Sequence, residues 1–330
     1  MFFEKYRYVH FPPSNFPTVH IDYEKCKKCK TCVKTCPTSC LQWDEEKKRP
    51  IPTSLMKMDP ACLGCGNCEA VCPEGAIRLS RDYFVFKGRY KSDPTRPRKL
   101  TFPFRKKEDE LAELEKSLTE VEKYILKRRS VRLFKDKEVE GELIERILEA
   151  GRFAPTAGNG QPFKFVVVTN KKINEEVDKR CAKVLYRIKN LYLSDNIIKK
   201  FFIYLLSYIS PNKWDQRPIT AMERLEQKGG AITFGAPVVI HILKDTRGIS
   251  RPDIDVGICG QNMVLTAHAL GLGTCFIGFI ASAVPFAPSV KKILGIKYPY
   301  ELALSICVGY PKVNYDKFVE RGEVPVNFIN

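Results

Sequence analysis

Long apolar segments are missing from this sequence. The nearest candidate, the run from residue 201 to 209, is far shorter than the roughly 20 apolar residues that a membrane-spanning helix needs, and two lysines precede it. The first residues carry charged side chains and prolines, and they lack the apolar core of a secretory signal peptide. Both absences argue against membrane insertion and export, so we expect a cytoplasmic protein without a membrane partner.

Acidic residues are scarce relative to basic ones. The chain has 38 Asp and Glu against 55 Lys and Arg, which gives a formal net charge of +17 at pH 7. No recognisable nucleic-acid-binding motif accompanies this charge, so we expect it to attract acidic electron-carrier proteins or anionic substrates rather than nucleic acid. The sequence also lacks a Ser–His–Asp or Cys–His hydrolase arrangement and a glycine-rich dinucleotide fingerprint after a strand. These absences argue against a hydrolase and against a separate nicotinamide-binding domain.

The composition indicates a globular protein of two domains. Of its 330 residues 44% are hydrophobic and 28% are charged, and the length exceeds that of one ordinary domain. Residues 1–90 are rich in Cys, Pro and Lys and poor in periodic segments, as in small domains held together by metal. The basic, proline-containing run 91–107 is typical of a linker. Residues 108–330 alternate helical and strand patterns, which predicts an α+β domain.

The predicted elements of this second domain follow its hydrophobic periodicity. An amphipathic helix is expected over 108–129, and later helices at 142–152, 171–227, 253–270 and 289–294. Strands are expected at 163–169, 237–243, 274–277 and 301–308.

Eight of the thirteen cysteines form one motif that occurs twice. In each copy, three cysteines are separated by two residues each, and a fourth follows after three more residues and precedes a proline. Three cysteines at this spacing let one tight loop hold three corners of an iron–sulfur cubane, while the fourth reaches the other cluster. The spacing predicts two [4Fe-4S] clusters. Their ligands are expected to be Cys26, Cys29, Cys32 and Cys72 for one cluster, and Cys62, Cys65, Cys68 and Cys36 for the other.

This region resembles the bacterial two-cluster ferredoxin domain. The resemblance covers residues 18–79 and includes Pro-Thr after Cys36 and Pro-Glu-Gly-Ala-Ile after Cys72. It implies a ferredoxin-like fold for the N-terminal domain. Structural zinc is the alternative, but zinc modules rarely carry this triple spacing twice with Cys-Pro endings. Cys40, which lies outside the motif, is expected to be a packed residue near a cluster.

Two segments of the second domain carry polar groups suited to a planar, phosphorylated ligand. Residues 127–132 (Lys-Arg-Arg-Ser-Val-Arg) place cations and a hydroxyl at a helix end, although a basic run alone is more often a solvated face. Residues 154–163 form a loop of small residues and amide side chains that leads into an apolar strand. Together with residues 255–278 and the run 308–311, these segments resemble the FMN-binding signature of the nitroreductase family, over residues 121–330.

The resemblance implies an FMN site with assigned ligands. Arg128, Ser130 and Arg132 are expected on the FMN phosphate and ribityl chain, with Arg129 sharing that role. The isoalloxazine ring is expected to be lined by Pro155, Thr156, Ala157, Asn159 and Gln161, and its N5 region to face backbone near Ile277 and Gly278. A further basic residue is expected on the phosphate. Arg321 is the first candidate for it and Lys312 the second. Guanidinium groups neutralise the phosphate and amides stabilise a reduced flavin. Hydride transfer from N5 needs no protein acid or base and solvent can supply protons, so no catalytic side chain is assigned.

The two halves together predict a flavin-dependent oxidoreductase. A low-potential donor, such as a ferredoxin, a flavodoxin or NAD(P)H, is expected to reduce the clusters, which pass single electrons to FMN. FMN is then expected to reduce a small organic acceptor such as a nitroaromatic. The alternatives are an activated alkene, a haloaromatic or a metal complex as acceptor, or an FMN and iron–sulfur protein that passes electrons to a protein partner.

The resemblance also implies a homodimer with FMN at the subunit interface. The residues after Pro311, including Val324, Val326 and Phe328, are expected to embrace the second subunit, and a tail packed within one subunit is the alternative. Residues 183–227 are longer than the family pattern and rich in basic and aromatic residues. They are expected either to roof the substrate pocket or to form additional core.

Overall fold

The computed structural model describes residues 18–52, 62–79, 82–83, 98–101, 115–192, 197–209, 216–227, 229, 231–248, 251–315, 319, 321–322 and 329. The chain divides into two compact units. The N-terminal unit comprises residues 1–119, 188–224 and 315–330, and the central unit comprises residues 120–187 and 225–314. Most of the linker expected over 91–107 lies outside the described residues, so the domain boundaries at 90 and 107 stay predictions.

Short strands and short helices surround the cysteines of the N-terminal unit. In chain order they are β1 (Val19–Ile21), α1 (Thr31–Thr35), β2 (Leu41–Asp44), β3 (Arg49–Pro52), α2 (Asn67–Ala70), β4 (Ile77–Leu79), β5 (Asp82–Tyr83) and β6 (Arg98–Thr101). Strand β1 pairs antiparallel with β4, β2 with β3, and β5 with β6. Because β1 precedes the first cysteine motif and β4 follows the second, their pairing joins the two motifs in one unit.

Cysteines make up much of the apolar core around these strands. The buried residues of this core are Val19, Cys32, Cys36, Cys40, Leu41, Cys62, Cys68, Ile77 and Leu79. So few aliphatic side chains provide little hydrophobic stabilisation, which agrees with a small domain that depends on metal.

The central unit is built on an antiparallel sheet. From residue 120 the elements of the chain are α3 (Glu120–Lys127), α4 (Gly141–Arg152), β7 (Phe163–Val168), α5 (Lys171–Tyr192), α6 (Ile197–Ile209), α7 (Gln216–Gln227), β8 (Val238–Asp245), α8 (Pro252–Ala269), β9 (Gly273–Ile277), α9 (Gly278–Ala283), α10 (Pro288–Ile293), β10 (Tyr300–Gly309) and β11 (Arg321–Gly322). The sheet has the spatial order β7-β8-β10-β9, with every neighbouring pair antiparallel. Helix α8 packs against this sheet and against α4.

A close approach of α4 to α8 depends on Gly151. A Cβ placed on Gly151 would lie 2.8 Å from Cγ of Met263 and 3.0 Å from Sγ of Cys259, both on α8. The absent side chain therefore lets the two helices pack tightly over the sheet. This packing fixes the positions of the loops at both ends of α4.

The predicted elements of the second domain are largely confirmed. All four predicted strands are present, and the helices expected near 142–152, 253–270 and 289–294 begin and end within two residues of their predicted bounds. The α+β class is therefore confirmed. Among the described residues, no helix has both the length and the apolar character needed to cross a bilayer.

The prediction of one continuous amphipathic helix over 108–129 is wrong. Residues 115–117 are helical, the chain breaks at 118–119, and α3 begins at Glu120. Thr119 followed by Glu122 has the spacing of a capping box, which is a start signal for a new helix. Residues 108–114 lie outside the described residues.

The insertion divides into three helices rather than one long helical stretch. Residues 188–224, which include α6 and most of α7, belong to the N-terminal unit. Helix α6 exposes a stripe of apolar side chains at spacings of three and four, namely Ile198, Phe201, Phe202, Leu205, Leu206 and Ile209. Whether the insertion roofs a substrate pocket stays a prediction.

The described part of the C-terminal tail packs within its own chain. Strand β11 pairs antiparallel with β6, so that Arg321 lies opposite Thr101. Val319 lies against Gly66, where an added Cβ would be 2.6 Å from Cγ1 of Val319. Both contacts fall inside the N-terminal unit. Val324, Val326 and Phe328, which were expected to reach a second subunit, lie outside the described residues.

Candidate iron–sulfur and flavin sites

The N-terminal unit contains two cavities, each lined by four of the motif cysteines. Cavity A is lined by Cys26, Cys29, Cys32 and Cys72. Cavity B is lined by Cys36, Cys62, Cys65 and Cys68. In both cavities, three cysteines come from one motif and the fourth comes from the other. This exchange is the arrangement expected for a chain that wraps two cubanes.

The two motifs follow the same backbone path around their cavities. Three equivalent positions have a positive φ in each motif: Lys28, Lys30 and Ser39 in the first, and Gly64, Gly66 and Gly75 in the second. Left-handed backbone costs a residue other than glycine roughly 1–2 kcal/mol, so the first motif is held in a strained path. The path brings backbone N–H groups to the thiols. Gly64 N donates to Cys62 Sγ and Ala76 N donates to Cys72 Sγ, both at 3.3 Å.

The protein environment changes the acidity of the cavity thiols in opposite directions. A hydrogen bond from the Cys40 thiol is the main cause that lowers the pKa of Cys36 to about 5, with a smaller contribution from the charge of Arg224 on α7. Burial raises the pKa of Cys32 to about 12 and that of Cys68 well above its usual value. Buried thiols of this kind ionise when a metal replaces the proton, since the cation compensates the thiolate charge.

The thiols of the two motifs are spread over the walls of their cavities. Across the residues that the structure describes, no three His, Cys, Asp or Glu side chains converge as the ligands of one metal ion do. The motif thiols instead line the walls of two cavities, which is what four separate iron corners require. The two cavities also differ in exposure. Cys29 of cavity A is exposed, whereas Cys36, Cys62 and Cys68 of cavity B are buried.

Cys40 has contacts that sequence reasoning missed. It lines cavity B together with the four motif cysteines. Its Sγ lies 3.0 Å from Thr38 Oγ1, and its thiol also hydrogen-bonds Cys36 and Cys62, which lowers the pKa of Cys62. The repeat in the sequence contains a signal for this role of Cys40. The residue at the equivalent position of the second motif, after Cys72-Pro-Glu-Gly, is Ala76 rather than a cysteine.

In the central unit, the basic segment lies along the outer edge of β9. Val131 N donates to Thr274 O at 2.8 Å, and Ser130 forms a parallel bridge with Thr274. Gly273 permits this approach, since a Cβ there would lie 2.7 Å from Cγ2 of Val131. Arg132 Nη1 donates to Ser130 O at 3.3 Å, so the segment holds one of its own cations in place.

The four polar residues predicted on the phosphate are not equivalent. Arg128, Ser130 and Arg132 gather around Cys275 of β9: the Ser130 hydroxyl hydrogen-bonds its thiol, and the two guanidinium charges act on it. Those three are half-buried, whereas Arg129 is buried. The Arg132 guanidinium lies 5.8 Å from the centre of the Phe234 ring, a neighbour that sequence reasoning did not identify.

The amide loop is a strained turn that precedes β7. Gly158, Asn159 and Gln161 all have positive φ, of 57°, 52° and 46°. The loop is closed by a hydrogen bond from Gln161 N to Thr156 Oγ1 at 3.1 Å and by one from Gln161 Nε2 to Asn159 Oδ1 at 3.4 Å. Left-handed backbone at residues other than glycine concentrates at ligand sites. The Asn159 and Gln161 side chains are exposed, while Thr156 and Ala157 are half-buried and Pro155 is exposed.

The junction between β9 and α9 leaves room for a planar ligand. Ile277 is buried at the end of the strand, and Gly278, the first residue of α9, is exposed. A Cβ placed on Gly278 would meet no heavy atom within 4 Å. The backbone at this junction therefore has open space beside it, and its contact with the flavin N5 region stays a prediction.

The structure separates the two residues considered for an additional phosphate cation. Lys312 N donates to Leu133 O at 2.9 Å, which places its backbone next to Arg132. Arg321, which was preferred from the sequence, pairs with Thr101 in the N-terminal unit. The backbone of Lys312 thus contacts Leu133, the residue after the basic segment, and the roles of Lys312 and Arg321 on the phosphate both stay predictions.

Comparisons with known proteins follow this division of the chain. The model of the 4Fe-4S dicluster domain matches residues 25–76, and the model of the Nitroreductase family matches residues 125–310. Similar solved structures include FMN-bound nitroreductases from Bacteroides fragilis (20% identity, TM-score 0.47, 64% of this chain and 98% of that chain) and from Desulfitobacterium hafniense (24% identity, TM-score 0.48, 64% and 100%).

A curated relative is similar over the second domain. The NADPH-dependent oxidoreductase of Staphylococcus aureus strain bovine RF122 / ET3-1 is 25% identical over 187 residues, which is 57% of this chain and 63% of the relative. The relative from strain USA300 matches over the same shares. The chain thus spans less than two thirds of the length of these relatives.

Proposed function

Because the chain belongs to the nitroreductase family and carries a 4Fe-4S dicluster domain, we propose that it is an FMN-dependent oxidoreductase supplied with electrons by its own clusters. A low-potential ferredoxin, a flavodoxin or NAD(P)H is the donor, and a small organic molecule such as a nitroaromatic is the acceptor. The observation that carries the proposal is the pair of cavities lined by four cysteines each, in the same chain as the flavin segments.

The residues of both sites fit these groups. The clusters supply one-electron transfer, and FMN accepts electrons singly and releases them in pairs. Arg128, Ser130 and Arg132 offer charge-assisted hydrogen bonds to a phosphate. The amide of Asn159 is available to the polar edge of the ring, and Gly278 leaves space for its face. The chain thus binds and orients the reacting group, and protons come from solvent.

Electrons are proposed to enter through cavity A. Cys29 is exposed there, so an external donor can come close to the thiol-bound iron. Most of the thiols of cavity B are buried, which keeps that cluster away from external donors and oxidants. The net charge of +17 favours association with acidic carrier proteins at low ionic strength.

A homodimer is proposed from the strand order of the central unit. The amide loop leads into β7, where Asp245 N donates to Pro162 O, whereas the basic segment lies beyond β9 at the other edge of the sheet. Three strand spacings separate β7 from β9 and one more separates β9 from the basic segment, so the loop and the segment lie roughly 20 Å apart across the sheet, and the register adds roughly 20 Å along the strands. The loop and the segment of one chain therefore lie at opposite corners. A second copy is required to bring both sets of residues to one FMN.

The proposal is tested by anaerobic purification with iron, sulfide and flavin analysis, followed by stepwise photoreduction watched by visible and EPR spectroscopy. About eight irons and one FMN per chain are expected, with cluster electrons reaching the flavin and leaving when a nitroaromatic is added. A double variant, Cys29→Ser with Cys65→Ser, removes one cysteine from each cavity. It should still bind FMN, but an external donor should no longer reduce the flavin. Zinc in place of iron, or clusters that reduce while the flavin stays oxidised, would contradict the proposal.

An electron-transfer protein with a protein partner is the second proposal. The apolar stripe on α6 favours it, because contiguous exposed apolar side chains often mark interaction surfaces. The two functions are separated by the acceptor. Steady turnover with small nitroaromatics, alkenes, haloaromatics or metal complexes supports the enzyme, whereas reoxidation by a carrier protein alone supports the relay.

A further inference from the structure

Cys40 is a ninth thiol at the wall of cavity B. Its side chain is only 3% exposed, and it lines the cavity beside all four motif cysteines proposed to hold that cluster. Thr38 is buried next to it, with Oγ1 at 3.0 Å from the Cys40 Sγ. A thiol so enclosed exchanges little with solvent, so its hydrogen bonds are made within the cavity.

The hydrogen bonds of Cys40 point at cluster ligands. Its thiol lies beside the side chains of Cys36 and Cys62 in the wall of cavity B, and these two cysteines come from different motifs. When Cys36 and Cys62 are thiolates, they can only accept, so the single S–H proton of Cys40 is donated to one of the two sulfurs or shared between them. Thr38 can donate its hydroxyl proton to the Cys40 sulfur. The result is a short chain of hydrogen bonds that ends at the two proposed iron ligands.

Cavity A has no counterpart to this thiol among its described residues. The equivalent position in the second motif is Ala76, which is 2% exposed and just as enclosed as Cys40. Backbone groups reach a motif thiol in both cavities, although from different positions: Ala76 N donates to Cys72 Sγ, and the backbone at Leu41 and Thr38 hydrogen-bonds Cys36. At this pair of equivalent positions, the two cavities differ by one S–H donor.

Resting on the proposed cluster assignment, we propose that Cys40 is a positioning residue that raises the reduction potential of the cavity B cluster by donating its single S–H hydrogen bond to the ligating sulfur of Cys36 or Cys62. Reduction adds negative charge to the cluster and its thiolates. A hydrogen-bond donor at these sulfurs stabilises the reduced state more than the oxidised one, which raises the potential. Cys40 thereby draws the electron toward the buried cluster.

The experiment exchanges the two equivalent residues. Cys40→Ala, Cys40→Ser and Ala76→Cys are purified anaerobically as full-length holoprotein, and both clusters are followed by EPR during a potentiometric titration. Cys40→Ala should shift the potential of one cluster downward and leave the other unchanged. Cys40→Ser keeps a donor and should fall nearer to the wild-type value. Ala76→Cys should raise the potential of the other cluster.

The controls separate this inference from the proposed function. Cys181→Ala removes a buried thiol from the central unit and should change neither potential. A wild-type protein without iron would overturn the proposed function and this inference together. Intact clusters whose potentials stay the same in Cys40→Ala and Ala76→Cys would overturn the inference alone. Loss of the cavity B cluster in both Cys40 variants would make Cys40 a ligand and also overturn it.

Discussion

At the scale of single residues, Arg132 of the basic segment has two contacts that define its position. It is held by Ser130 O and by the Phe234 ring. Charge-assisted hydrogen bonds contribute roughly 1.5–3 kcal/mol, so Arg132→Ala should raise the Kd for FMN roughly 10- to 100-fold. Quenching of FMN fluorescence by the apoprotein measures this change. Arg146→Ala removes the same charge from an exposed position on α4 and should leave the Kd nearly unchanged.

His241 is one buried group through which acid is expected to destabilise the central unit. It is fully buried on β8, its Nδ1 and the Ser305 Oγ are 2.8 Å apart, and burial lowers its pKa to about 4 from its ordinary 6.5. Below pH 6.5 the unfolded chain binds a proton that the folded chain refuses, so stability is lost as the pH falls toward 4. The loss is on the order of 2–3 kcal/mol.

His241→Gln should therefore flatten the pH dependence. Denaturant unfolding at pH 7 and pH 5, followed by circular dichroism, should show a smaller drop in the free energy of unfolding than in the wild type. His20→Gln, at an exposed position in the N-terminal unit, is the control and should keep the full drop. An unchanged drop in His241→Gln would mean that another group carries the acid response.

The contacts of a single residue can be predicted from the sequence when the signal for them lies in neighbouring residues. The cysteine spacing is local, and the pairing of Cys72 with the first motif and of Cys36 with the second was predicted from it. Phe234 over Arg132 could not be predicted, because about a hundred residues separate the two along the chain and only the sheet brings them together. Cys40 had a signal in the internal repeat, since comparison with Ala76 marks it as an addition.

Helix α6 allows a test at the scale of elements. Phe201 and Leu205 lie on its exposed stripe, so the double change Phe201→Ser and Leu205→Ser should alter the free energy of unfolding by less than about 0.5 kcal/mol per site. Leu185→Ala, on the buried side of α5, should cost about 2–5 kcal/mol. Chemical denaturation compares the two. A large loss from the α6 changes would show that the stripe is covered in solution.

Helix boundaries were harder to predict than the helices themselves. The stretch 171–227 contains three helices that each have helical periodicity, and periodicity alone does not show where one helix ends and the next begins. Local signals were nevertheless present: Pro211 with Asn212 is a turn signal, and Pro218 lies in the first turn of α7, where a missing N–H is tolerated. Strand bounds were predicted more closely, because each buried strand is a compact apolar run between turns.

The strand order matters at the scale of the whole molecule. No sequence pattern states that β7 and β9 occupy opposite edges of the sheet, and from the residues alone the amide loop and the basic segment could belong to one site in one chain. The register places them at opposite corners. The proposed homodimer therefore rests on this separation as well as on the family resemblance.

Subunit complementation tests whether each FMN site uses the basic segment of one subunit and the amide loop of the other. A variant with Arg128→Ala and Arg132→Ala and one with Asn159→Ala and Gln161→Ala should each bind FMN poorly as homodimers. In an equal co-expressed mixture, half of the dimers are hybrids with one intact site, so FMN content should recover to about a quarter of the wild-type level. Hybrid dimers that form without any recovery would place both sets of residues in the same subunit.

The exposure of Cys29 also affects how fast oxygen destroys the proposed clusters. Oxygen and peroxide reach the sulfur and iron of cavity A directly, while cavity B is shielded by its buried cysteines. Bleaching of the iron–sulfur absorbance in air should therefore be biphasic, with about half of the iron released in the fast phase. A Cys40→Ala protein should keep the fast phase unchanged, because that phase belongs to the other cavity. The lifetime in air of the proposed clusters is then limited by the exposure of cavity A.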